Sequence, residues 1–169
     1  MKSKYRGWIL PGIVLLILLA TLPAALHRII QTGNLYLFTR DFFEDMVARL
    51  SGPGRFRFIL QPTVAILLGA RDGVKDARAG ACPFIWGIIL RRDLRSQLLR
   101  SGLASVRNLV AIAVLLDLIS QYLIFRQIHP GAALLLGPVL IAAPYSLARA
   151  LANRIARRRG VRPAIDPAS

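Results

Sequence analysis

The chain has a single cysteine, Cys82, so no internal disulfide can form. Beside Pro83 in an apolar patch, Cys82 reads as a small hydrophobe. A reactive thiol needs a neighbouring base or a cationic pocket, and the sequence offers no sign of either. Histidine is nearly as scarce. His27 and His129 stand alone and match no metal-ligand spacing. Asp72 and Asp76, spaced i,i+4, are the other pair that a metal could use. Arg71, Lys75 and Arg78 surround them, so they read as a solvated, charge-paired helix end. No metal and no cofactor is expected. There is no G-x-S-x-G, H-E-x-x-H, phosphate loop or Cys-x-x-Cys, and nothing argues for an enzyme.

Acidic residues are few as well: 8 Asp+Glu stand against 23 Lys+Arg, a net charge of +15. A strongly basic chain raises the question of nucleic acid. Here the basic residues flank apolar runs and form no aromatic-interleaved patch, so no nucleic-acid partner is expected. What the chain has in quantity is apolar sequence, 55% of it. Long apolar runs separated by basic loops account for both the hydropathy and the charge.

The first run, 8–26, follows Lys2, Lys4 and Arg6 and is long enough for one helical crossing of a ~30 Å hydrocarbon core. A cleaved signal peptide is the rival reading; the run is long for one and its cleavage site is poor, so an uncleaved anchor with Trp8 at the interface is preferred. The stretch 35–50 reads LYLFTRDFFEDMVARL. At 100° per residue its apolar side chains gather on one half of the wheel, and Arg40, Asp41, Glu44, Asp45 and Arg49 on the other. This predicts an amphipathic helix lying on a membrane surface or on the bundle, ended by Ser51-Gly52-Pro53-Gly54.

The run 57–71, RFILQPTVAILLGAR, is short; CPFIWGIIL at 82–90 is shorter and is expected at the interface with Trp86 as anchor. Asp93 can start a helix that leads into a crossing at 106–125. The turn RQIHPG joins it to a further crossing at 132–153, interrupted by Gly137-Pro138 and Pro144, which read as ordinary packing rather than as a cavity. A basic tail, 154–169, ends the chain.

The positive-inside rule places loop 71–107 and the tail in the cytoplasm, because the turn between the last two crossings carries only Arg126. The basic flank before the first run favours a cytoplasmic N-terminus, hence four crossings. The length of 57–71 argues for three, since its helix falls short of the bilayer. Four is the reading taken, with 57–71 as a short crossing. The expected fold is therefore all-α: a polytopic membrane helix bundle of three to four transmembrane helices, with interfacial amphipathic helices.

Asp117 is the one acid deep in an apolar run, with Ser120 and Gln121 on the same helix face and Gln61 at a similar depth in the four-crossing arrangement. An intramembrane carboxylate should face protein or water. Two readings stand. One is a proton or ion relay in a small transporter or channel subunit. The other, preferred because no chain of ionisable groups accompanies it, is a packed Asp bonding neighbouring helices. Arg91, Arg92, Arg95, Arg157, Arg158 and Arg159 are expected to meet anionic lipid headgroups.

The run GPGRFRFILQPTVAILLGARDGVKDARAGACPF, followed by LLDLISQ and PYSLARALANRIAR, resembles a group of uncharacterised small membrane proteins of proteobacteria. The resemblance covers about residues 52–157 and implies a bacterial inner membrane; it implies no chemistry. The expected function is a structural, assembly or regulatory membrane component that binds lipid or other membrane proteins.

Overall fold

The computed structural model describes residues 3–33, 36–52 and 54–160, the side chains of 3–6 excepted. Lys2, the side chains of Lys4 and Arg6, Leu35, Pro53 and the tail beyond Gly160 lie outside the described residues. The fold is all-helical. In chain order the helices are α1 (Ser3–Thr32), α2 (Arg40–Ser51), α3 (Arg57–Arg78), α4 (Phe84–Leu90), α5 (Arg92–Phe125) and α6 (Pro130–Arg158). Three stretches are long and apolar enough to cross a membrane: Gly7–Thr32, Arg92–Phe125 and Pro130–Arg158. The chain is a polytopic helical membrane protein. Helix α3 is not among the three, as its short apolar run suggested.

The chain divides into two compact units, Met1–Gln61 with Arg107–Leu140, and Pro62–Val106 with Ile141–Ser169. In the first unit, Val14 and Leu18 of α1 pack with Ala111, Val114 and Leu118 of α5 and Ala133 of α6. Gly137 permits the close approach there, since a Cβ would sit 3.0 Å from the backbone nitrogen of Val114. Helix α6 continues past Pro138 and Pro144. Only 11% of the most apolar window of α1 is buried, so most of its Leu and Ile side chains face outward. In a bilayer that surface suits acyl chains.

Helix α2 corrects the sequence reading in two ways. It begins at Arg40, not near Leu35. Phe38 adopts a left-handed φ of 65°, and Thr39 is the N-cap, its Oγ1 accepting from the amide of Phe42 at 3.3 Å. Its sidedness also differs. Phe42 and Arg49, seven residues apart, are buried together, while Phe43, Val47 and Leu50 are exposed. Arg49 therefore turns toward protein, and the apolar stripe is free for lipid.

The second unit, which takes α3 from Pro62 onward, is organised by that part of α3 against α6. The buried positions of α3 fall every fourth residue: Arg57, Gln61, Ala65, Gly69, Gly73 and Ala77. From Ala65 onward the stripe is small-xxx-small, which lets two backbones meet. A Cβ on Gly69 would lie 2.3 Å from the carbonyl oxygen of Tyr145, and one on Gly73 2.2 Å from that of Arg149. Each step of four along α3 matches a step of four along α6, so the two helices run side by side in the same direction. Within the segment 82–90, Phe84–Leu90 forms the short helix α4, with Arg154 of α6 over the Trp86 ring at 5.1 Å.

Candidate functional site

The polar side chains picked out in the sequence lie in the first unit, and all are buried: Gln61, Asp117, Ser120 and Gln121. Helix α5 presents the last three from successive turns. Asp117 Oδ2 accepts from Gln121 Nε2 at 2.7 Å, the i,i+4 geometry the sequence implied. Gln121 Oε1 in turn accepts from the backbone amide of His129 at 2.6 Å, tying the α5–α6 turn to the helix. Ser120 donates back to the carbonyl of Leu116 at 2.8 Å and takes no part in the cluster. Gln61 lies one turn beyond Arg57 on the buried stripe of α3, but neither amide atom finds a hydrogen-bond partner among the described residues.

The sequence reading missed the counterions. Arg57 Nη2 lies 2.5 Å from Asp117 Oδ1, and Arg49 Nη1 lies 3.8 Å from Asp117 Oδ2. Arg57 Nη1 also donates to the carbonyl of Leu116 at 3.0 Å. Both guanidiniums and the carboxylate are almost wholly shielded, with side-chain exposures of 4% or less. Three elements thus converge: the last turn of α2, the first turn of α3 and the last third of α5. Two cations and one anion share a low-dielectric site, where each needs the other to offset the loss of water.

The network extends outward. Arg49 Nη2 donates to the Tyr36 hydroxyl at 3.3 Å, and that hydroxyl donates to Asp45 Oδ2 at 2.5 Å. Burial and the hydrogen bond to Asp45 push the Tyr36 hydroxyl well above the usual phenol range. The Tyr36 ring stacks on His129, with centroids 3.7 Å apart. Burial and the nearby charge of Arg28 lower the His129 imidazole below its ordinary value.

A second ionic cluster occupies the other unit. Arg149 is buried and pairs with Asp76 through two bonds, Nε to Oδ2 at 2.6 Å and Nη2 to Oδ1 at 3.0 Å. It also donates to the Tyr145 hydroxyl at 3.0 Å, which donates to Asp72 Oδ2 at 2.8 Å, and its guanidinium lies 4.4 Å from the Phe84 ring centroid. The acids at 72 and 76 are therefore charge-paired, and they are half-buried rather than fully solvated. They point at α6 because they flank the Gly73 contact. No metal-holding group of His, Cys, Asp or Glu occurs among the described residues.

The arginines expected at anionic lipid are exposed, and Arg91, Arg92 and Arg95 stand at the start of α5. Arg91 has Asp93 as an exposed neighbour at 3.5 Å. Arg157 is partly committed, donating to the carbonyls of Gly80 and Ala81 beyond the end of α3. Arg158 and Arg159 are exposed.

No family model, curated protein or solved structure matches the chain.

Proposed function

We propose that the chain is a structural, assembly or regulatory component of a bacterial inner membrane, holding other membrane proteins or lipid and catalysing no reaction. The observation that carries this reading is the double pairing of Asp117 with Arg49 and Arg57. A relay carboxylate must take up and release a proton. Protonating Asp117 would leave two shielded guanidiniums without their anion, at a cost of several kcal/mol. The charge is committed to joining α2, α3 and α5. What remains for other molecules is the broad apolar surface of α1, the apolar stripe of α2 and a set of exposed arginines.

The topology that goes with this reading has both termini in the cytoplasm and four crossings. Helix α3 runs beside α6, a candidate span, through Gly69 and Gly73, which supports a short crossing buried by its neighbours. Arg91, Arg92, Arg95, Arg158 and Arg159, with the remaining valence of Arg157, would then meet anionic headgroups, at about 1 kcal/mol per charge near the surface.

Extraction of the affinity-tagged chain in a mild detergent tests the function. The expected result is a membrane-protein partner retained at a fixed ratio. Recovery of the chain alone, with solute or proton flux in liposomes, would replace this reading with the transporter one.

A further inference from the structure

A cavity of about 700 Å³ opens in the first unit, where the end of α1, the start of α2 and the α5–α6 turn meet. Its size falls in the range of small-molecule sites, about 300–1,000 Å³. One wall is apolar, made by Leu22, Ala25 and Leu26 of α1. Leu22 and Leu26 are exposed, so this wall continues onto the outer face of the helix. The polar walls carry opposite charges. Arg28 stands on α1, with Gln127 and His129 as neutral hydrogen-bond partners and no acidic partner among the described residues. Arg40, Asp41 and Asp45 stand on α2, and Arg40 is already paired with Glu44 at 2.7 Å, which leaves the two aspartates as the uncompensated charges of that wall. Among the described residues Asp41 makes no ion pair, and Asp45 accepts a side-chain hydrogen bond from the Tyr36 hydroxyl alone.

Unpaired opposite charges that face one cavity without touching suit a ligand that carries both signs. A purely anionic headgroup would satisfy Arg28 and be repelled by Asp41 and Asp45. A cation alone would do the reverse. We infer that this cavity binds a zwitterionic membrane phospholipid with a primary ammonium, its phosphate on Arg28, its ammonium between Asp41 and Asp45, and an acyl chain along Leu22 and Leu26. A primary ammonium donates hydrogen bonds to the carboxylates, whereas a quaternary one cannot. The stacked pair of Tyr36 and His129 forms the rigid floor, held to the buried ionic cluster through Arg49. This deepens the lipid half of the proposed function and rests on the chain being a membrane protein.

The test uses the full chain in mild detergent with dioleoyl phosphatidylethanolamine, phosphatidylcholine or phosphatidylglycerol, and native mass spectrometry counts retained lipid. Phosphatidylethanolamine should be retained about tenfold more than phosphatidylglycerol, with phosphatidylcholine between, as one charge-assisted hydrogen bond implies. Arg28→Gln should lower its retention about tenfold. Asp41→Asn, at an exposed position, should shrink the preference over phosphatidylglycerol, and Ala25→Trp, which fills the cavity, should abolish retention of all three. Equal or greater retention of phosphatidylglycerol, or retention unchanged in Arg28→Gln and Ala25→Trp, would overturn the inference. The partner recovered from the membrane is a separate readout, so loss of lipid selectivity with the partner retained would sink this site alone.

Discussion

Replacing Asp117 by Asn tests whether the buried cluster is a fastening. Asparagine keeps the shape, and its amide oxygen can still accept from Gln121. It removes the charge from a site where Arg57 lies at 2.5 Å and Arg49 at 3.8 Å. Both guanidiniums remain shielded, so the loss is that of breaking a buried pair, about 3–5 kcal/mol. For a chain of this size that corresponds to a fall in melting temperature of roughly 6–20 °C, at about 2–4 °C per kcal/mol. Thermal unfolding in detergent, followed by circular dichroism, reads it. Arg57→Gln alone should cost a similar amount. The double variant should cost less than the two added together, a coupling of about 1–3 kcal/mol. Single changes worth under ~1 kcal/mol that simply add would refute the reasoning, because an uncharged Asp117 tolerates asparagine.

Three further outcomes are expected. Gly73→Ala should destabilise by about 1–3 kcal/mol, because its Cβ would lie 2.2 Å from a backbone oxygen, whereas Gly12→Ala meets nothing within 4 Å and should be neutral or slightly stabilising; urea or thermal unfolding distinguishes them. The folded state holds the His129 pKa below the ordinary ~6.5, so it binds fewer protons than the unfolded state; stability should be complete above that value and fall as pH drops toward the folded pKa, and His129→Phe, which keeps the stack on Tyr36, should flatten that slope in melting curves. A reporter fused after Gly54 should read as periplasmic and one at Ala79 as cytoplasmic; two cytoplasmic readings would leave α3 on one side and three crossings in place.

The three long apolar runs were legible because length and hydropathy alone mark them. Asp117 and Gln121 were legible for the same reason, as polar groups isolated in such a run. Their partners were not. Arg49 looked like part of a solvated face because a helical wheel sorts residues by polarity and does not say which face meets protein. In a membrane the sense inverts: the apolar stripe Phe43, Val47 and Leu50 can face lipid while the charge turns inward. Arg57 stood out only as the first residue of a short apolar run, since nothing local reveals that α3 starts beside α5. The stripe Ala65, Gly69, Gly73, Ala77 was present as a signal, four small residues at i,i+4, and it marks the face of α3 that meets α6. Arg149 gave only a weaker hint, as a charge inside a helix otherwise fit to span.

The most direct test of the account is a proton-flux measurement in liposomes holding the wild-type chain or Asp117→Asn, with pH-sensitive dye inside. On the proposed function, the charge on Asp117 binds Arg49 and Arg57 and carries nothing across the membrane. The expected result is no flux above empty liposomes for either protein, together with lower thermal stability of the variant. Wild-type flux that vanishes in Asp117→Asn, with folding intact, would contradict it.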